Sequence, residues 1–124
     1  VSGRRAYARE MREWALELVR RACDGLESWE ETVKWGHARV FQSDARMFAL
    51  VSDWKGELIL SVKVGKDAMG VFTKDARYFP APYLARGGWV ALRLSGAMNA
   101  EEIRELVRGS YAFIRPARRR RART

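Results

Sequence analysis

Apolar residues recur at spacings of three and four residues near the start of the chain. This spacing matches the 3.6 residues per turn of an α-helix, and charged residues alternate in sign on the opposite side. The sequence therefore predicts an amphipathic helix over residues 4–23, which Asp24 and Gly25 end. The predicted apolar stripe consists of Tyr7, Met11, Trp14, Leu18 and Ala22.

Three segments after this helix have the alternating pattern of half-buried strands. Their sequences are KWGHARVFQ, RMFALVS and GELILSVKV, at residues 34–42, 46–52 and 56–64. The short stretches SDA and DWK between them are suitable turns, so the pattern predicts an antiparallel meander. In the third segment Leu60 and Val62 fall on one side, whereas Ile59, Ser61 and Lys63 fall on the other.

The second half of the chain predicts a short helix, a strand and a final helix. Their sequences are KDAMGVFTKDA, WVALRLSG and NAEEIRELVRGSYAFI, at residues 66–76, 89–96 and 99–114. Asn99 is a suitable N-cap, and the glutamates after it favour a helix N-terminus. The order is α-β-β-β-α-β-α, which predicts the α+β class, with helices packed on one face of an antiparallel sheet.

Length and charge define the predicted domain organisation. The chain of 124 residues suits one domain, which we assign to residues 1–114, followed by an Arg-rich C-terminal tail at residues 115–124. Six of the ten tail residues are arginines, and without them the formal net charge falls from +9 to +3. Such a basic cluster favours nucleic acid or another polyanion as the partner.

Other compositional features point to a cytoplasmic protein. Cys23 is the single cysteine, which excludes an internal disulfide and fits a reducing compartment. The first residues carry charge without an apolar stretch of secretory type. No apolar run approaches the roughly 18 residues that a membrane span needs, so we expect no membrane association.

Several spaced motifs in the same order resemble the MmcQ/YjbR family of small bacterial proteins. The resemblance covers roughly residues 7–114. It rests on the stretches EMREWALEL, SWEETVKWGHARVF, MFALVS, PAPYLARGGWVAL and EEIRELVRGSYAFI. Many relatives carry His-Met-Asn-Lys where this chain has Leu84-Ala85-Arg86-Gly87, so Arg86 is the nearest basic substitute. The resemblance implies a CyaY-like fold, similar to frataxin, and a DNA-binding role without enzymatic activity.

The inventory of reactive side chains argues against catalysis and against a metal site. The chain has one His and one Cys, and no nucleophile motif is recognisable, so we expect no catalytic residues and no cofactor. His37 lies in the first predicted strand, where a structural or surface role is the simpler interpretation. Glu10, Glu13 and Glu17 line up along the first helix, but four arginines surround them, which disfavours an iron site.

The predicted contact surface combines the tail with one face of the sheet. Cations interleaved with aromatic rings can bind phosphates and stack on bases. Trp54 lies at a predicted hairpin tip, where it either contacts a nucleic-acid groove or folds back over Leu58. Trp89 either contacts the ligand or is covered by the loop before it. The predicted nucleic-acid-binding residues are Trp54, Lys55, Lys63, Arg86, Trp89, Arg93, Arg115, Arg118, Arg119, Arg120 and Arg121.

A protein-interaction or small-ligand module is the alternative function. The stretch YFPAPYLARGGWVAL at residues 78–92 is rich in aromatic residues around two prolines and a Gly-Gly pair. In this alternative it lines a pocket or a docking surface. Tyr78, Phe79, Tyr83 and Leu84 are interpreted as a rigid loop that seals the edge of the domain, which leaves Arg86 and Trp89 as the candidate contacts.

Overall fold

The computed structural model describes residues 2–94 and 98–115 of the chain. Within them, three α-helices, six β-strands and one turn of 3-10 helix at Ala85–Gly87 are formed. The helices are α1 (Ser2–Cys23), α2 (Lys66–Phe72) and α3 (Ala100–Ile114). The strands are β1 (Trp29–Lys34), β2 (Ala38–Ser43), β3 (Arg46–Trp54), β4 (Glu57–Lys63), β5 (Tyr78–Pro80) and β6 (Trp89–Arg93).

The strands form one antiparallel sheet in the order β1-β2-β3-β4-β6-β5. The predicted α+β class and the order of helices among strands are confirmed. Strands β1 and β5 at the two edges of the sheet were not predicted. The β2–β3 register shifts after Phe41, so that Phe48 has no partner on β2 and forms a bulge.

Helices α1 and α3 cover one face of the sheet, and the main core lies between them and the strands. Phe41, Phe48, Leu60 and Val62 from the sheet are fully buried in this core. The N-cap of α3 is as predicted, because the Asn99 side chain accepts a hydrogen bond from the Glu102 N–H at 2.9 Å.

The predicted apolar stripe of α1 is wrong in part. Tyr7 and Trp14 are 60% and 45% exposed, while the smaller residues of the neighbouring stripe are buried. The helix therefore presents compact side chains to the sheet and α3, and its large aromatic rings remain at the surface. The buried residues of α1 are Ala15, Leu16, Leu18, Val19, Ala22 and Cys23.

The second face of the sheet, opposite the helices, is also largely buried. The loop after β5 folds back over it, so that Ala81 and Leu84 pack against Ile59, Ala91 and Trp89. The strand alternation around Ile59 is as predicted, but the expectation that this face is exposed to solvent is wrong. Packing under the loop leaves Ile59 and Ser61 each 1% exposed.

Candidate functional site

Trp89 and Arg93, which the sequence predicts as nucleic-acid contacts, both pack against other residues of the domain. Trp89 is 7% exposed, because it packs in the cluster under the loop after β5. Arg93 forms an ion pair with Glu57, and its guanidinium lies 4.5 Å from the centre of the Phe79 ring. Both side chains have structural partners within the domain. Trp89 is closed to solvent, whereas the Arg93 side chain stays 38% exposed.

Lys63 and Arg86 lie at one end of the sheet, where β4 ends and β6 begins. The N–H groups of Val64 and Gly65 donate to the Gly88 carbonyl at 2.9 and 3.0 Å, which brings the two segments together. Arg86 is exposed, Lys63 is half-buried, and Lys66 is exposed beside them. Among the described residues, none of these three cations has an acidic partner.

Arg115, at the end of α3, is held by the β2–β3 turn. Its guanidinium donates to Asp44 and to the Ser43 hydroxyl, both at 2.7 Å, and approaches Glu27 at 3.8 Å. These contacts fix the point where the chain leaves the domain. The predicted contacts Arg118, Arg119, Arg120 and Arg121 lie outside the described residues.

Trp54 and Lys55 lie at the opposite end of β4 from Lys63. Because β4 spans seven residues, this separation is roughly 20 Å. The Trp54 ring is half-buried and makes an edge-to-face contact with Tyr83, with 5.8 Å between the ring centres. Lys55 lies over the Trp54 ring at 5.5 Å. The structure thus separates the predicted residues into two groups instead of one continuous patch.

A pocket opens on the second face of the sheet beside Trp54. Its cavity volume is about 630 Å³, within the range typical of ligand sites. We call it the aromatic pocket because Trp35, Trp54 and Tyr83 stand around it. The complete lining is Trp35, His37, Ala38, Leu50, Ser52, Asp53, Trp54, Ile59, Ser61, Pro82, Tyr83 and Leu84.

Three turns supply the walls of the aromatic pocket, and strands supply its floor. Trp35 comes from the β1–β2 turn, Trp54 from the β3–β4 hairpin and Tyr83 from the loop after β5. Trp35 and Tyr83 are 67% and 94% exposed. Both have left-handed backbones, with φ of 54° and 66°, a conformation that costs non-glycine residues about 1–2 kcal/mol.

Ser61 is the buried polar group of the pocket floor. The residue is 1% exposed, and its hydroxyl has no hydrogen-bond partner within the described part of the chain. Its cross-strand neighbours are Leu50 and Ala91, which offer no polar side chain. The hydroxyl oxygen is not among the fully buried unpaired atoms of the described residues, so it reaches the pocket, where water can satisfy it. A ligand that displaces this water has to replace its hydrogen bond.

Sequence patterns did not identify Trp35, Tyr83 or Ser61 as a site. Trp35 lies in a tight turn with Gly36, and Trp54 is the last strand residue before the Lys55-Gly56 turn, positions at or beside turns where polar residues are usual. This placement of tryptophan was the available signal. The sequence analysis interprets Tyr78 and Tyr83 as parts of a loop that seals the edge of the domain. Tyr78 is buried, but the Tyr83 side chain is exposed to solvent.

The shifted pKa values of the described residues arise from structural contacts outside the pocket. Arg20 donates two hydrogen bonds to Glu31, at 2.7 and 2.8 Å, and Arg39 donates a third, so the pKa of Glu31 lies below its usual range despite partial burial. Burial raises the pKa of the Cys23 thiol to about 12, which makes it unreactive as a nucleophile. Burial and a hydrogen bond to Glu102 raise the pKa of Tyr78.

The described residues contain no group of three or more His, Cys, Asp or Glu side chains placed to hold a metal ion. None of their helices combines the length and apolar character that crossing a membrane requires.

The family model named YjbR matches residues 25–113 of the chain. The chain belongs to the YjbR family. This confirms the resemblance drawn from its motifs, although α1 precedes the matched residues. Among curated proteins, none matches this YjbR protein significantly.

Two solved structures resemble the YjbR chain in fold. The Deinococcus radiodurans protein DR2400, with a DUF419 domain, is 30% identical, with a TM-score of 0.67, and the alignment covers 77% of this chain and 75% of that one. A protein from Pseudomonas syringae is 19% identical, with a TM-score of 0.65 and coverage of 77% and 94%. The second similarity concerns the fold alone.

Proposed function

We propose that this YjbR-family protein is a non-enzymatic, cytoplasmic nucleic-acid-binding protein, with DNA as the favoured partner. The proposal rests on one observation. Arg115, which follows α3, lies at the end of the sheet that also carries Lys63, Lys66 and Arg86. Arg115 is held there by Asp44, and in the sequence five further arginines follow it.

Recognition in this proposal is mainly of the phosphate backbone. Guanidinium groups bind phosphates in a bidentate manner, and each neutralised phosphate releases counterions. Lys63, Lys66 and Arg86 supply a fixed basic edge on the folded domain, and the arginines after Arg115 add sequence-independent attraction. Trp89 has no direct role, because it packs inside the domain.

The test measures binding of a labelled 20-base-pair duplex by fluorescence anisotropy at 50 and 200 mM salt. With four to six phosphate contacts, affinity should fall roughly 10²- to 10³-fold between the two conditions. Removal of residues 116–124 should abolish most of this binding, while Arg115 keeps its contacts with the β2–β3 turn. Absence of binding at 50 mM salt would exclude the proposal.

A pair of single substitutions tests the contribution of the folded domain. Arg86→Gln should reduce the salt slope by about 0.9, the value expected for one phosphate contact. Lys74→Gln is the matched control, because Lys74 is also exposed but lies beyond the far end of α2. Equal effects of the two substitutions would show that only overall charge matters, and would remove the basic edge from the proposal.

A further inference from the structure

We propose that the aromatic pocket binds one neutral, flat heteroaromatic molecule between the size of a nucleobase and that of a nucleoside. This site is separate from the proposed polyanion surface, since Trp54 and Lys63 lie at opposite ends of β4. Each of the two proposals can therefore be tested without the other.

The shape of the walls favours a flat ring. The Trp54 and Tyr83 rings meet at an interplanar angle of 88°, so they form two adjoining walls of a corner. Trp35 stands on the β1–β2 turn and exposes two thirds of its surface. A planar ligand can stack on one of these rings while its edge meets another, an arrangement that aromatic groups prefer.

The floor requires a ligand that forms hydrogen bonds. Leu50, Ile59 and Ala38 make most of the floor apolar, while the Ser61 hydroxyl faces the pocket and has no partner among the described residues. A hydrocarbon ligand would leave this hydroxyl unsatisfied, whereas a ring nitrogen or an exocyclic amine would pair with it. Ser52 and His37 offer further hydrogen-bonding groups in the lining of the pocket.

The charges around the pocket disfavour an ionic ligand. The carboxylate among the lining residues, Asp53, is paired with Arg12 of α1. The Lys55 ammonium group lies over the Trp54 ring and would repel a cation. The lining also holds the uncharged hydroxyls of Ser52 and Ser61, which match a neutral ligand better than a carboxylate or an ammonium group.

The experiment titrates the full chain with adenine, p-xylene and benzyltrimethylammonium, and follows ¹H–¹⁵N spectra. Adenine should bind with a Kd of about 0.1–1 mM, as expected for about ten heavy atoms. It should shift the Ser61 amide and the indole N–H signals of Trp35 and Trp54. Absence of these shifts up to 5 mM adenine, a concentration about fivefold above the weakest expected Kd, would overturn the proposal.

Substitutions locate the ligand and test the role of the hydroxyl. Ser61→Ala should weaken adenine binding about five- to tenfold without changing p-xylene binding, because it removes one hydrogen bond. Trp35→Ala should weaken adenine binding about tenfold, and Trp14→Ala, at an exposed tryptophan on α1, should not.

The other two probes decide the ligand class. If p-xylene binds as tightly as adenine, or benzyltrimethylammonium binds more tightly, a neutral hydrogen-bonding ligand is excluded. The shift map of the unsubstituted protein decides the location even if a variant fails to fold. Loss of duplex binding on removal of residues 116–124 leaves this result unaffected, which separates failure of this proposal from failure of the proposed function.

Discussion

Gly88 is a residue whose identity is dictated by the approach of two backbone segments. Its φ is +84°, in the left-handed region, and a Cβ added to it would lie 2.8 Å from the Gly65 carbonyl carbon and from the Lys66 nitrogen. Its own carbonyl accepts the two hydrogen bonds that join this turn to the end of β4. The glycine therefore allows Arg86 and Lys66 to share one end of the molecule.

Gly88→Ala should destabilise the protein by about 2–4 kcal/mol. The left-handed backbone contributes about 1–2 kcal/mol, and the overlap with backbone atoms, which cannot rotate away, contributes the rest. Gly25→Ala is the control, because Gly25 has φ of +87° but no atom within 4 Å of its added Cβ. Urea unfolding followed by circular dichroism measures both. Equal losses of stability in the two variants would rule out the packing contribution.

At the scale of elements, Ser110 connects α3 to two strands. Its hydroxyl accepts from the Lys63 N–H at 2.9 Å and donates to the Phe48 carbonyl at 2.6 Å. Phe48 is the bulged residue of β3, which lacks a partner on β2. The fully buried serine thus bridges Phe48 and Lys63, just beyond Ala49 and Val62, where the pairing of β3 with β4 ends.

Ser110→Ala should cost about 2–3 kcal/mol, because it leaves a buried N–H and a buried carbonyl unpaired. Ser61→Ala offers a matched control, since both serines are at most 1% exposed and only Ser110 has hydrogen-bond partners among the described residues. Ser61→Ala should change the free energy of unfolding by less than about 0.5 kcal/mol. A large loss for Ser61→Ala would mean that its hydroxyl stabilises the fold, and would weaken its assignment to a ligand.

Sequence periodicity predicted the elements whose apolar residues alternate regularly, and it failed where polar contacts determine the structure. β4 and α3 have clear periods and were predicted. β1 has no alternating apolar pattern, because it carries Glu30, Glu31 and Lys34. Its glutamates form polar contacts instead: Glu31 with Arg20 and Arg39, and Glu30 with Gln42. β5 is three residues long and ends in Pro80, which is tolerated at the edge of a sheet.

At the scale of the molecule, the aromatic pocket shows why the candidate site was less predictable than the fold. Its walls come from Trp35, Trp54 and Tyr83, which are separated by 19 and 29 positions along the chain. Only the strand order and the return of the loop after β5 bring them together. Similarly, alternation correctly placed Ile59 and Ser61 on the second face, but it could not reveal that the loop covers that face.

Acid stability is a property of the whole molecule that depends on ion pairs between elements. Glu31 on β1 accepts hydrogen bonds from Arg20 on α1 and Arg39 on β2, and these contacts lower its pKa. The pKa of Glu102 is also lowered, since hydrogen bonds from Arg77 and Tyr78 outweigh the effect of burial, which alone would raise it. Both groups bind protons less readily in the folded state.

Because both pKa values are lowered in the folded protein, these groups make the fold more stable near neutral pH than in acid. A carboxylate with a lowered pKa in the folded state contributes stability that is fully present above its unfolded pKa, about 4.3 for Glu. That contribution is lost as the pH falls from there through the folded value. At neutral pH, Glu31→Gln should lower the free energy of unfolding by about 1–2 kcal/mol, between the values of exposed and of buried ion pairs.

The difference between the wild type and Glu31→Gln should shrink as the pH falls from 5 to 3, because protonation removes the same charge from the wild-type side chain. Denaturant unfolding at several pH values measures this convergence. Glu10→Gln should follow the wild type throughout, since Glu10 is exposed and forms no hydrogen bond or ion pair with any described residue. If the Glu31→Gln and wild-type curves remain parallel down to pH 3, then the contacts of Glu31 with Arg20 and Arg39 do not stabilise the edge strand.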